Sequence, residues 1–288
     1  MAELLKGAVK SRNMYAEFLV RTDGLKKSGI VPKICIFIAS DNAGSEIYAS
    51  MIVKNCSRAG IECDISRSGP GTTANDLADS INKANYDDSV HGIIVMLPLW
   101  KGIDEKKILA TVSPDKDIDG VSPLNAGKLV LGDACFHPST AEACVELLYA
   151  YGYDPAGKHV VILGRSNIVG KPLANILVQK GVDATVTVCH SRTQNLKKIC
   201  RSADILIAAI GSPKFITEDY THSEQIIIDV GMNEIIDGEG NVSLSGDVDF
   251  DNVKDKVKAI TPVPGGVSPF THISLIKNIL KAIELKNI

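Results

Sequence analysis

Short runs rich in β-branched residues alternate with longer helical patterns along almost all of the 288 residues. Lys33–Ser40 (KICIFIAS), Glu62–Ser66 (ECDIS) and Gly92–Leu99 (GIIVMLPL) predict strands in the first half, with helical stretches between them at about 44–59 and 73–84. The runs are nearly all apolar, as expected of parallel strands covered on both faces. Strand–helix–strand repetition then implies right-handed crossovers and an open, mostly parallel sheet. The second half repeats the theme. His159–Leu163, Ala184–Cys189, Ala203–Ile210 and Ile226–Val230 predict strands, with helices near 171–180 and 193–201. A helix carrying Ala141, Cys144, Val145, Leu147 and Leu148 is expected to join the halves. The amphipathic stretch Ile273–Leu285 is expected to pack back on the first domain. The chain is long enough for two α/β domains of the usual ~100–150 residues each. We expect them over 1–139 plus 273–288 and over 140–272.

Composition narrows the partners. A net charge of -3 and the absence of a Lys/Arg run argue against a nucleic-acid partner. No stretch reaches the ~20 uninterrupted apolar residues of a membrane span, and MAELLKGAVK has no long apolar run of a secretory signal. The seven cysteines are scattered, odd in number and form no CxxC pair, which predicts reduced thiols in a cytoplasmic protein. The histidines show no metal spacing, so no metal is expected.

The segment from His159 to Pro172 (HVVILGRSNIVGKP) reads as a strand, a glycine turn and a helix start. Pro172 suits the first turn, where its missing N–H costs nothing, and the outward N–H groups there favour an anion such as a pyrophosphate. The spacing Gly164-x5-Gly170 departs from GxGxxG, and by itself it also fits a plain tight turn. The next strand ends in Cys189-His190-Ser191-Arg192-Thr193, with no acid where an NAD site places Asp or Glu on the ribose. Taken singly, Arg192 reads as a solvated residue and His190 as a satisfied loop histidine. With Arg165 they compose a site for a 2′-phosphate, so NADP is preferred over NAD.

Three further segments carry chemistry: Ser45-Glu-Ile-Tyr48, the polar loop Pro114-Asp-Lys-Asp-Ile-Asp-Gly120, and Thr261-Pro-Val-Pro-Gly-Gly-Val-Ser-Pro-Phe-Thr271, too rich in Pro and Gly to be an element interior. With LPL at 97–99, GRSNIVGKP, CHSRT, DVG at 229–231 and GDVDF at 246–250, the set resembles the methylenetetrahydrofolate dehydrogenase/cyclohydrolase family over nearly the whole chain. The resemblance implies a folate-binding catalytic domain at the N-terminus, a C-terminal Rossmann-type NADP domain, a cleft between them, a homodimer and tetrahydrofolate one-carbon derivatives as substrates. It implies catalytic roles for Tyr48, placed to stack on the aminobenzoate ring, and for Asp119, which holds the pterin. An ionised carboxylate can accept two hydrogen bonds from a 2-amino-N–H edge. Val95, Met96, Leu97, Pro264, Gly265, Gly266, Val267 and Ser268 fall on its substrate-binding positions. Gly164, Arg165, Ser166, Ile168, His190, Ser191, Arg192, Gly211 and Met232 fall on its cofactor positions.

The sequence also departs from the family. The family's catalytic Tyr-x-x-x-Lys places both side chains on one helix face, one turn apart. Here Tyr48 plus four is Ile52. Lys54 projects roughly 160° away from that position, so it does not replace the ammonium. The family's Gln before LPL, thought to orient the lysine, is Met96 here, and its Pro-x-His stretch is replaced by Trp100-Lys101. A Cys-Thr-Pro motif reads Ser139-Thr140-Ala141, and Gly-Pro-Met reads Ser268-Pro269-Phe270. Both partners of one polar pair have become apolar, which leaves no buried polar group unpaired.

Hydride removal from the methylene carbon leaves a cation stabilised by two folate nitrogens and needs no general base, whereas ring opening by water needs protons moved. The expected activity is therefore NADP-dependent oxidation of 5,10-methylenetetrahydrofolate to 5,10-methenyltetrahydrofolate, with cyclohydrolase weak or lost. Two alternatives stay open: an ordinary bifunctional enzyme making 10-formyltetrahydrofolate, with Lys54, Lys101 or His272 in the lysine's role, and an inert NADP- or folate-binding regulatory protein.

Overall fold

The structure, a computed structural model, describes residues 2–236 and 242–286. It separates into two compact units, one built from Arg12–Ser139 and the segment from His272 onward, the other from Thr140–Thr271 and the beginning of the chain through Ser11. Residues 2–11 thus group with the second unit and not with the expected domain of 1–139 plus 273–288. The cause is a strand, Glu3–Leu4, that pairs in parallel with Ala259–Ile260. Residues 1, 237–241 and 287–288 of the expected domain ranges lie outside the described residues.

The first unit holds a parallel three-stranded sheet in the order Glu62–Arg67, Lys33–Ile38, Gly92–Val95, with Ile36 opposite both Ile65 and Ile94. Successive side chains alternate between faces. Ile34, Ile36, Ile38, Ile94 and Met96 enter one core, shared with Phe18 of helix Met14–Lys27, Ile52 of helix Ala43–Arg58, and Ile276 and Ile279 of helix Ser268–Lys286. Phe37, Ile93 and Val95 enter another, with Leu77 and Ile81 of helix Ala74–Tyr86 and Ile108 of helix Glu105–Thr111. Apolar contact on both sides is why Lys33–Ile38 and Gly92–Val95 are nearly continuous apolar runs, whereas the edge strand Glu62–Arg67 exposes Glu62, Asp64 and Arg67 and keeps a polar alternation. The expected strand Gly92–Leu99 stops at Val95, and Pro98 just beyond has no N–H for a ladder. Met96 still donates to the Phe37 carbonyl at 2.8 Å.

The second unit holds six parallel strands, in the order Glu3–Leu4, Ala259–Ile260, Ile226–Asp229, Ile205–Ala208, His159–Leu163, Thr185–Cys189. Asn233–Ile236 and Val242–Ser245 form a separate antiparallel pair. The Pro/Gly-rich segment expected as loop through Thr271 turns helical at Ser268, with Pro269 in the first turn, where a proline is tolerated. Helix Ser139–Ala150 does connect the units, since its first residue belongs to one and the rest to the other.

In the first sheet Lys33–Ile38 lies between the next two strands in sequence, and in the second His159–Leu163 lies between Thr185–Cys189 and Ile205–Ala208. Ligands of open α/β sheets bind outside the carboxyl ends of the strands where the order reverses. Those ends are Ile38 and Val95 in the first unit, and Leu163 and Ala208 in the second.

Candidate functional site

In the first unit, the chain leaves strand Lys33–Ile38 and enters the helix that carries Tyr48. Asn42 caps that helix by accepting from the Ser45 N–H at 2.9 Å, satisfying one of its orphan donors. The Ser45 hydroxyl donates to the Leu97 carbonyl at 3.0 Å, which ties the helix start to the turn after Met96. Tyr48 is half-buried, and one turn on, Ile52 is sealed in the core at 1% exposure.

The Asp119 loop is equally fixed. Asp117 is buried, and its carboxylate accepts from the Ser122 N–H at 2.8 Å, from the Val121 N–H at 3.2 Å and from the Asn125 amide at 2.8 Å. Asn278 donates to the Ile118 carbonyl at 2.8 Å. Gly120 has a φ of 67°, and a side chain there would meet the backbone of Phe136 and His137. Asp119 is thereby presented to the Ser139 hydroxyl, which donates to its Oδ1 at 2.5 Å. Burial pushes the Asp119 carboxyl up to about 7, although the Ser139 hydrogen bond pulls the other way. Burial and the nearby Asp119 charge hold the Tyr48 phenol well above its ordinary value, while the Ser139 hydroxyl opposes them. His272 lies against Tyr48, ring centroids 5.8 Å apart and planes at 30°. Tyr48, Asp119, Ser139 and His272 therefore form one cluster, while Ile52 and Met96 are buried together in the core that Tyr48 packs against. Lys54 and Lys101 are exposed.

In the second unit, Gly164 closes strand His159–Leu163 at the reversal point with a φ of 119°. A Cβ on Gly164 would collide with the Ala209 carbonyl oxygen, and one on Gly170 with the Gly164 carbonyl oxygen. The Gly-x5-Gly spacing is thus demanded by backbone approach. The Ser166 hydroxyl oxygen accepts from the N–H groups of Val169 at 3.1 Å and Gly170 at 3.4 Å, opening helix Gly170–Leu177. Arg165, Ser166, Ile168, Ser191 and Arg192 are exposed and His190 is half-buried. The 190–193 turn is held by the His190 N–H donating to Thr193 Oγ1 at 2.9 Å and the Arg192 N–H donating to His190 Nδ1 at 3.2 Å. No carboxylate occurs in either turn, 164–170 or 190–193.

Asp229–Met232 and Pro262–Ser268 line a single depression, so Met232 and the Pro264–Ser268 loop come together. Asp229 lines it, and a second buried acid, Asp247, lies beside Asp229. Asp247 accepts from the N–H groups of Ile210, Gly211 and Ser212 at 2.7, 3.1 and 2.8 Å and from the Asn233 amide at 2.9 Å. Asp229 accepts from the N–H groups of Gly231, Asp247 and Val248 at 2.9, 3.0 and 2.9 Å, and burial pushes its carboxyl up to about 7. The Gly211 amide is therefore occupied by Asp247.

Residues 5–119 match the family described as Tetrahydrofolate dehydrogenase/cyclohydrolase, catalytic domain, and residues 138–287 match its NAD(P)-binding domain. The Bifunctional protein FolD of Campylobacter concisus is 44% identical over 284 residues, covering 99% of this chain and 98% of that one. The crystal structure of the bifunctional FolD methylenetetrahydrofolate dehydrogenase/cyclohydrolase from Campylobacter jejuni matches at a TM-score of 0.93 and 38% identity, over 99% of this chain and 100% of that one. The Trypanosoma brucei methylenetetrahydrofolate dehydrogenase-cyclohydrolase, solved with NADP and an inhibitor, matches at a TM-score of 0.93 and 32% identity, over 99% and 98% of the two chains.

This chain belongs to the tetrahydrofolate dehydrogenase/cyclohydrolase family. Within the family's catalytic domain, Val95, Met96 and Leu97 lie at or just beyond the carboxyl end of strand Gly92–Val95, Asp119 follows the bridge of Asp117 to Ile93, and Tyr48 is on the helix that follows strand Lys33–Ile38. Val95 and Met96 are buried, while Tyr48, Leu97 and Asp119 keep partial exposure. Within the family's NAD(P)-binding domain, the residues from both turns sit at the ends of adjacent strands. Sequence reasoning overlooked three contributors. Ser139 was visible only as a departure from a motif, and the structure puts it at the start of helix Ser139–Ala150. Asp229 and Asp247 were quoted in the DVG and GDVDF motifs without a role, and the paired glycines Gly231 and Gly246 beside them were the available signal. A Cβ on either glycine would strike the carboxylate of the other segment's aspartate.

Proposed function

We propose that this chain oxidises the methylene bridge of 5,10-methylenetetrahydrofolate to the methenyl cation with NADP, and that hydrolysis of that cation is weak or lost. The observation that carries the second part is Ile52, buried with Met96 where the family's lysine and glutamine stand. We assign the folate to the unit of residues 12–139 and 272 onward, and NADP to the unit of residues 140–271.

The donor set fits NADP: two exposed guanidiniums, an imidazole and two hydroxyls, Arg165, Arg192, His190, Ser166 and Ser191, with no carboxylate to repel a 2′-phosphate. NADP, when bound, supplies the hydride acceptor. The chain's own side chains do the rest. Asp119 accepts hydrogen bonds from the pterin's amino edge, and Tyr48 offers a ring face to the aminobenzoate. The buried carboxyl near 7 gains most from that contact when ionised. No residue need take a proton during hydride loss, so the apolar pair at 52 and 96 does not block oxidation.

The bifunctional reading is favoured by the printed names of the relatives, the C. concisus protein among them. A paired assay on one preparation separates the two. NADP reduction by methylenetetrahydrofolate is followed at the same time as decay of methenyl absorbance, with NAD tested alongside. NADPH formation with methenyl decay at the buffer rate is expected. Decay at family-like speed refutes the loss of cyclohydrolase, and no NADPH formation despite binding refutes the dehydrogenase. A homodimer in the cytoplasm is the expected state, checked by sedimentation.

A further inference from the structure

His272 is 4% exposed, yet neither ring nitrogen has a hydrogen-bond partner among the described residues. Buried polar groups are paired in the great majority of proteins, and leaving one unpaired is expensive, about 1–3 kcal/mol. The chain places this imidazole on the fifth residue of helix Ser268–Lys286, directly before the apolar run Ile273, Leu275, Ile276 that enters the core. An aliphatic residue would have satisfied that position. The ring instead lies 5.8 Å from Tyr48, at 30° to it, so it borders the candidate site. Burial alone holds it down to about 4, so it is uncharged at working pH. It offers one donor and one acceptor without placing a cation beside a product that is itself cationic.

We infer that His272 is a substrate-contact residue of the Tyr48 site, whose unpaired ring nitrogens are completed by the hydrogen-bonding groups of the bound tetrahydrofolate derivative. This rests on the folate reading given above. His272→Phe keeps the ring against Tyr48 and removes both nitrogens, while His272→Gln keeps hydrogen bonding and removes the ring.

The measurement is tetrahydrofolate binding by calorimetry without NADP, beside NADP binding and thermal unfolding of each variant. His272→Phe is expected to bind tetrahydrofolate about tenfold more weakly, with NADP affinity unchanged, His272→Gln recovering part of the loss, and melting temperature unchanged or raised. In wild type carrying 15N-labelled histidine, one His272 ring resonance should move on adding tetrahydrofolate. Tetrahydrofolate affinity within twofold of wild type in His272→Phe, or no movement of the resonance, overturns the inference. So does a lowered melting temperature with equal loss of both ligands, which would mark an internal partner for the ring. Failure of the underlying reading looks different: wild type itself does not bind tetrahydrofolate.

Discussion

Replacing Ile52 by lysine tests the reading of the catalytic domain most directly. Ile52 is 1% exposed, so its burial is worth about 1.5–3 kcal/mol, most of which the lysine stem can retain. The ammonium is the larger matter. It would enter a core cluster that includes Met96, Ile36, Ile94, Ile118 and Ile276, side chains that cannot accept a hydrogen bond strongly. An uncompensated buried charge destabilises by about 3–5 kcal/mol, softened as the amine loses its proton. At about 2–4 °C per kcal/mol, Ile52→Lys should melt roughly 10 °C lower. Adding Met96→Gln supplies an amide oxygen, and a hydrogen bond to a charged group returns about 1.5–3 kcal/mol. A double-mutant cycle by urea unfolding should therefore show a favourable coupling of that size, since Met96→Gln alone also leaves a buried amide unpaired. The double variant should hydrolyse methenyltetrahydrofolate about 100-fold faster than wild type, the lower end of general acid–base gains. A zero coupling, or Ile52→Lys as stable as wild type, would refute the argument that 52 and 96 form one apolar replacement of one polar pair.

Asp119, pushed up to about 7, should make tetrahydrofolate affinity rise with pH up to about 7 and level off above it, because the ionised form accepts the pterin's donors. Calorimetry across pH 5–8 reads this, and Asp119→Asn should bind weakly at every pH. The sign for stability is opposite: with a folded value above the unfolded ~3.9, Asp119 stabilises most below pH 4, and that contribution is lost as pH rises through 7. Arg165→Ala with Arg192→Ala should raise KM for NADP about 10–100-fold and change KM for NAD by less than about threefold, as expected from losing charge-assisted phosphate contacts. Gly164→Ala should abolish NADP binding or folding of that unit, read by calorimetry and circular dichroism, because its Cβ has only the Ala209 backbone to move.

The inner strands were legible because both of their faces are covered, which turns a parallel strand into an apolar run such as GIIV or HVVIL. Helix Met14–Lys27 was not, since it buries only Tyr15, Phe18 and Thr22 and leaves Val20 exposed, so its apolar stripe is faint. The segments holding Tyr48 and Asp119 stood out locally, as a helix start and a polar loop, while the roles of those residues and of position 52 rested on the family resemblance. Asp229 and Asp247 could not be read the same way. An acid after an apolar run looks like a solvated strand end, and only the fold shows seven donors converging on the two carboxylates. His272 was suggested by type alone; its burial and its unpaired nitrogens belong to tertiary structure.

Each compact unit recruits a piece from the opposite extremity of the chain, Glu3–Leu4 for one sheet and Ile273–Ile283 for the other core. During synthesis, the three early strands emerge well before the isoleucines that close over them. The first β-strand likewise waits for Ala259–Ile260 before it has a neighbour. Folding of either half is thereby deferred until residues 259–283 have been made, and a gene split at residue 139 would yield two incomplete fragments that must find each other's missing segments.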